Sequence, residues 1–148
     1  MNTNSPPPLR NLVADAECVV ILPYALTIVD CHFISKAFLT QRDAATFLDG
    51  HPEAVDAGDP FAVYEFDRNV DESEAVILAR SGRDFAFWDS RERFVLIGGS
   101  EEFCSMAAPY PPDVLKHYYV EGMKEQLSDA EAQGLYSQFS KGTPRSAR

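Results

Sequence analysis

The feature that most constrains the fold lies between residues 61 and 97. Four short segments, 61–66, 75–79, 84–88 and 94–97, are rich in β-branched and aromatic residues, and they are separated by an acidic loop, by Ser81-Gly82 and by Asp89-Ser-Arg-Glu92. Connections this short join antiparallel neighbours, because a parallel pair needs a crossover of about a dozen residues or more. The centre of the chain is therefore expected to be an antiparallel β-meander.

On either side of the meander the signals change. Residues 18–22 are β-branched and apolar, and Pro23 ends them or holds them at a sheet edge. Residues 25–34 read as a further strand on the strength of Thr27, Ile28 and Val29, whose branched side chains crowd a helix. Thr40-Gln-Arg-Asp43 has the form of a helix N-terminus, so a short helix is expected over 41–49, stopped by Gly50 and Pro52. Beyond Gly98-Gly99 the period becomes helical. Ser100 caps a short helix with Glu101 and Glu102 in its first turn. Pro111-Pro112 opens a longer one over 112–127 with Leu115, Tyr118, Tyr119, Met123 and Leu127 on one side, and Ser128-Asp-Ala-Glu131 is a capping box for the last.

These elements place the chain in the α+β class: an antiparallel β-meander sheet of four to six strands packed against C-terminal helices. A single domain over 11–140 is expected, with polar, disordered tails at 1–10 and 141–148. At 148 residues one core suffices without metal or disulfide staples. Because Phe85 and Phe87 alternate with Ala86 and Trp88, one of these sets stays on an open face unless the N-terminal segment supplies a second cover.

The net charge of −10 is concentrated. Residues 43–74 hold ten acidic side chains against one base, Arg68. Such a field repels phosphate backbones and argues against nucleic-acid binding, whereas it attracts a basic protein. The expected partner-binding residues are Asp49, Glu53, Asp56, Asp59, Asp67, Asp71, Glu72 and Glu74, with Trp88 as an apolar anchor. The alternative role for this charge is solubility alone. Three scattered cysteines without a CxxC fit reduced thiols in a cytoplasm. The N-terminus lacks the pattern of a secretory signal, and Pro23 and Asp30 interrupt the longest apolar stretch, so no membrane segment is expected.

Candidates for chemistry fall away on inspection. Cys31 with His32 would lie on opposite faces of a strand, and Cys104, near His117, reads as an apolar helix residue. His32, His51 and His117 have no metal-ligand spacing, and the loop around Asp67, Asp71 and Glu72 lacks the pattern of a calcium loop. Gly98-Gly99-Ser100 sits at a strand-to-helix junction, as phosphate loops do, but Glu101 and Glu102 follow at once and oppose an anion. No catalytic residue, metal or cofactor is assigned.

What remains is a small protein-binding module whose acidic surface meets a basic partner. In size, charge and architecture the chain resembles bacterial toxin-immunity proteins, and the resemblance implies a basic toxin domain as that partner. Two other classes stay open. One is a small-molecule-binding protein or enzyme with a pocket between sheet and helices and His117, Tyr118 or Tyr119 at its rim. The other is a homodimer formed through the sheet face around Trp88.

Overall fold

The computed structural model describes residues 5–39, 44–71 and 73–142. Among them, six strands form one antiparallel sheet in the order β1-β6-β5-β4-β2-β3. The strands are β1 Cys18–Pro23, β2 Ala45–Leu48, β3 His51–Glu53, β4 Glu74–Leu78, β5 Phe85–Asp89 and β6 Phe94–Gly99. The helices are α1 Leu9–Asp15, α2 Ile28–Phe38, α3 Pro60–Asn69, α4 Glu101–Ala107, α5 Pro112–Gly122 and α6 Asp129–Phe139. The α+β class and the antiparallel sheet expected from the sequence are both present, and β4-β5-β6 is the meander at its centre.

The two-residue period of the strands sorts the core into two layers. Ala86 and Trp88 share one face with Val20, Leu22, Ile77, Val95 and Ile97, under α2, α3 and α4. Phe85 and Phe87 share the other with Val19, Ile21, Val76 and Leu96, under α1 and α6. Helix α5 runs beside β1 and serves both layers: Leu115 joins the first, Tyr119 and Met123 the second. Both faces of β1, β6 and β5 are thus covered, and every residue of β1 and β6 is buried. At about 1.5–3 kcal/mol for each fully buried large apolar side chain, the burial of Ile21, Phe85 and Leu96 on this second side adds to the stability of the fold.

Three segments differ from the reading of the sequence. Residues 28–38 are helical, because Thr27 accepts a hydrogen bond from the Asp30 amide as an N-cap, and Cys31, Ile34, Ser35 and Phe38 form one buried stripe. Residues 60–69 are helical too, not a strand. Asp59 accepts from the Phe61 amide, Pro60 stands in the first turn, and Val63, Phe66, Asp67 and Val70 recur on the inner side. The expected helix over 41–49 is replaced from Ala45 by β2; its capping residues 40–43 lie outside the described residues. Asp49 (φ 51°) and Gly50 (φ 79°) form the two-residue hairpin that pairs Leu48 with His51. Both φ values are positive, as that turn requires.

Smaller differences lie at the ends of elements. Helix α5 stops at Gly122 rather than at 127. A Cβ there would come within 2.6 Å of the Pro23 ring, so the glycine permits α5 to lie close on β1. Leu9 and Arg10, expected in a tail, are the first turn of α1. Lys141, expected in the other tail, is anchored: its amide and carbonyl pair with Val19 (3.1 and 2.7 Å), and its ammonium donates to the Val13 and Ala14 carbonyls (2.9 and 3.1 Å). A cation there complements the C-terminal end of α1. At the opposite edge of the sheet, β3 is exposed along its length and carries Pro52, a residue confined to edges because it cannot donate to a ladder.

Candidate functional site

The acidic run of the sequence is divided by the fold. Asp49, in the β2–β3 turn, accepts hydrogen bonds from the Ser73 hydroxyl (3.2 Å) and the Glu74 amide (3.4 Å). Together with Glu74 it lines a groove with Pro6, Leu9, Phe47 and Phe87, on the side of the sheet covered by α1. A different set gathers where β3 leads into α3. Glu53, Asp56 and Glu65 surround a groove of about 300 Å³ whose walls include Leu48, Val55, Ala62 and Phe66.

Local geometry fixes this second set. The Asp56 carboxylate accepts from the Gly58 amide at 3.0 Å, and Asp59 caps α3 through the Phe61 amide at 3.0 Å. Glu65 follows Phe61 by one helical turn. Asp71 is exposed just past the end of α3, and Glu72 lies outside the described residues. The base of the run, Arg68, leans over the Tyr64 ring (4.6 Å) and donates to its hydroxyl (2.9 Å). The groove therefore holds carboxylates without a cation among its lining residues, above apolar walls.

Two of the expected partner-binding residues cannot touch a partner. Asp67 and Trp88 are fully buried. Trp88 lies beneath α3, edge-on to Phe66 at 5.2 Å, and its indole donates to Asp67 Oδ1 at 2.9 Å. The same oxygen accepts from the Leu26 amide (3.2 Å), while the Tyr24 hydroxyl donates to the Asp67 carbonyl (3.2 Å). Asp67 thus ties α3 to β5 and to the segment that leads into α2. Its other oxygen, Oδ2, is buried without a hydrogen-bond partner, and Arg68 Nε stands 4.0 Å away. Burial pushes the Asp67 pKa up; the bonds from Trp88 and Leu26 and the charge of Arg68 offset this only in part. With Trp88 inside, the dimer expected through an open face around it has no such face to use.

A second buried acid, Asp30, accepts from the Tyr110 hydroxyl at 3.0 Å and from the Tyr118 hydroxyl at 2.6 Å. Burial, and then the neighbouring carboxylate, raises the pKa of both phenols, so they stay neutral donors. Tyr118 and His117 also border a shallow depression on α5 with Val114 and Lys124. Tyr119, the third residue expected at a pocket rim, points into the second core layer and donates to the Arg93 carbonyl.

The remaining candidates for chemistry are structural in their surroundings. All three cysteines are buried and free. Burial pushes the Cys31 thiol up to about 12, and His32 packs edge-on against Phe61. Cys104 donates to the Cys18 carbonyl at 3.3 Å; contact with Cys18, and then burial, raises its pKa far above the usual thiol value. At the Gly98-Gly99 junction, Asp84 accepts from the Ser100 amide at 3.0 Å, so a carboxylate of the chain occupies the place a bound anion would take. Phe85 and Asp84 leave room only for glycine: a Cβ at Gly98 would run into the Phe85 ring, and Gly99 has φ 140°. Among the described residues, no group of three or more His, Cys, Asp or Glu is placed to hold a metal, and no helix is long and apolar enough to cross a membrane.

The strand expected over 61–66 leaves Glu65 and Phe61 out of the expected site; the Asp59-Pro60 pair is the sequence signal for the helix start that exposes them. Compared with family models, with curated proteins and with solved structures, the chain matches none.

Proposed function

We propose that this chain is a protein-binding module that docks a basic partner against the acidic surface between β3 and α3. The observation that carries the reading is the groove itself. Glu53, Asp56 and Glu65 line apolar walls that can take the stem of a lysine or arginine while the carboxylates meet its charge. Charges at such a rim act mainly on the rate of encounter, because they steer an oppositely charged surface from a distance. In its most specific form the partner is the basic, nucleic-acid-binding face of a toxin, and the chain acts as its immunity protein by covering that face.

The test uses the exposed acids alone, since Asp67 is internal. Replacing Glu53, Asp56, Asp59 and Glu65 together by Lys is expected to slow association with the partner recovered from native cell extract by about tenfold or more. The rate with the unchanged protein is expected to fall as salt rises, because exposed charges are screened within about 8 Å at physiological ionic strength. Equal recovery and a salt-independent rate would leave solubility as the role of the charge. For the immunity form, an equimolar amount of the chain is expected to block nuclease activity of the recovered partner.

A further inference from the structure

Five large apolar side chains are exposed among the described residues: Ile28, Val29, Leu39, Phe61 and Val114. Single exposed apolar residues are ordinary, but these are not scattered. Four lie on α2, at its C-cap, or in the first turn of α3. Phe61 is 65% exposed and meets His32 of α2 edge-on, with ring centroids 6.3 Å apart. Val29 precedes His32 by three residues and Leu39 follows it by seven, which puts all three on one side of the helix. Leu39 also reaches the entry to α3: its Cδ1 lies 3.2 Å from where a Gly58 Cβ would be. The other side of α2, from Cys31 to Phe38, is packed into the core.

This apolar strip ends at the acids. Asp59 caps the turn that bears Phe61, and Glu65, one turn further along α3, lines the acidic groove. An apolar centre with a charged rim is the usual anatomy of an interface between proteins. We infer that Val29, Leu39 and Phe61 form the apolar centre of the docking surface and that its occupant is a cationic amphipathic segment, with apolar side chains against Phe61 and lysines or arginines against Asp59 and Glu65. This rests on the acidic docking proposed above and names the second half of what the partner must present. The charge decides against a second copy of the chain as the occupant. A copy brings the same net charge of −10 and the same carboxylates beside its own Phe61, so a two-fold contact would set like charges together.

The test titrates the isotope-labelled full chain with three synthetic helical peptides: one amphipathic in Leu and Lys, one in which Glu replaces each Lys, and one in which Ser replaces each Leu. The Leu/Lys peptide is expected to bind, with backbone amide shifts centred on Val29, Leu39 and Phe61, and to bind at least tenfold more weakly to Phe61→Ser and to Val29→Ser. Both side chains are exposed, so the variants keep the fold, which the fluorescence of Trp88 checks. The Ser/Lys peptide is expected to bind more weakly, equally to wild type and Phe61→Ser, and to be released by the fourfold Lys variant of the groove. If Phe61→Ser holds the Leu/Lys peptide as wild type does while the Lys variant releases it, the apolar centre is refuted and acidic docking stands. If the Leu/Glu peptide binds as well as the Leu/Lys peptide, or the Lys variant binds both cationic peptides normally, the cationic occupant is refuted. A mass that doubles with concentration in wild type but not in Phe61→Ser would assign the strip to self-association and overturn the proposal.

Discussion

Asp67 places a carboxylate where water cannot reach and leaves one of its oxygens without a donor. Its raised pKa has a definite consequence for stability. Between the ordinary aspartate pKa and the raised one, the folded chain binds more protons at this site than the unfolded chain does. The contribution of Asp67 to stability is therefore complete below the ordinary value and declines as pH rises through the raised one. Asn keeps an oxygen for Trp88 and Leu26 and does not ionise. The difference in unfolding free energy between Asp67→Asn and wild type is expected to shift in favour of Asn as pH is raised from acid towards neutral, measured by denaturant titration with Trp88 fluorescence. Asp67→Ala, in contrast, strands the Trp88 indole and the Leu26 amide and is expected to cost about 1–3 kcal/mol for each donor left unsatisfied. A variant Ala as stable as Asn at neutral pH would remove Asp67 from its place in this network.

At the scale of elements, the sequence was most legible where local signals agreed with one another. Ser100 and Ser128 cap α4 and α6 as read, and the meander strands keep their alternation. It was least legible where composition and capping disagreed. The branched residues Ile28 and Val29 suggested a strand, yet they stand in the exposed first turn of α2, while the buried stripe from Cys31 to Phe38 has helical spacing. Residues 61–66 look like a strand by content, but Asp59-Pro60 sets a helix going. Asp49-Gly50 forms a hairpin turn where the sequence pattern predicts a helix end. In the first two a start signal outweighs propensity, because it fixes backbone hydrogen bonds that propensity only biases; over 41–49 the turn signal at Asp49-Gly50 prevails over the capping pattern. Helix α5 allows a direct check of its orientation. Leu115 is buried under the sheet and Lys124 beyond its end is exposed. Leu115→Ala is expected to destabilise by about 2–5 kcal/mol, and Lys124→Ala by less than about 0.5 kcal/mol, by thermal or urea unfolding.

For the whole molecule, the acidic balance was plain from the sequence but the docking surface was not. Which carboxylates gather depends on where α3, packed on α2, comes to stand relative to β3, a relation between segments that no local pattern encodes. Two-sided cover of the sheet stands in the sequence only as an alternative, a second cover from the N-terminal segment; α1 supplies it over Phe85 and Phe87, together with α6. The layer opposite that cover encloses all three thiols. A thiol-reactive dye is accordingly expected to label none of Cys18, Cys31 and Cys104 quickly in the native protein and all three after unfolding, and reductant is expected to leave the melting temperature unchanged. Rapid labelling of a thiol in the native state would mean that its layer opens.

Lys141 carries a consequence for how the chain could be joined to something else. Because its backbone pairs with Val19 and its ammonium holds the end of α1, Lys141 is fixed beside β1. The strand order sets β1 and β3 at opposite margins of the sheet, five inter-strand spacings or about 24 Å apart. A linker, label or surface attachment placed after this point is leashed at the far margin from the acidic groove. The molecule could be immobilised there with its docking side facing outward.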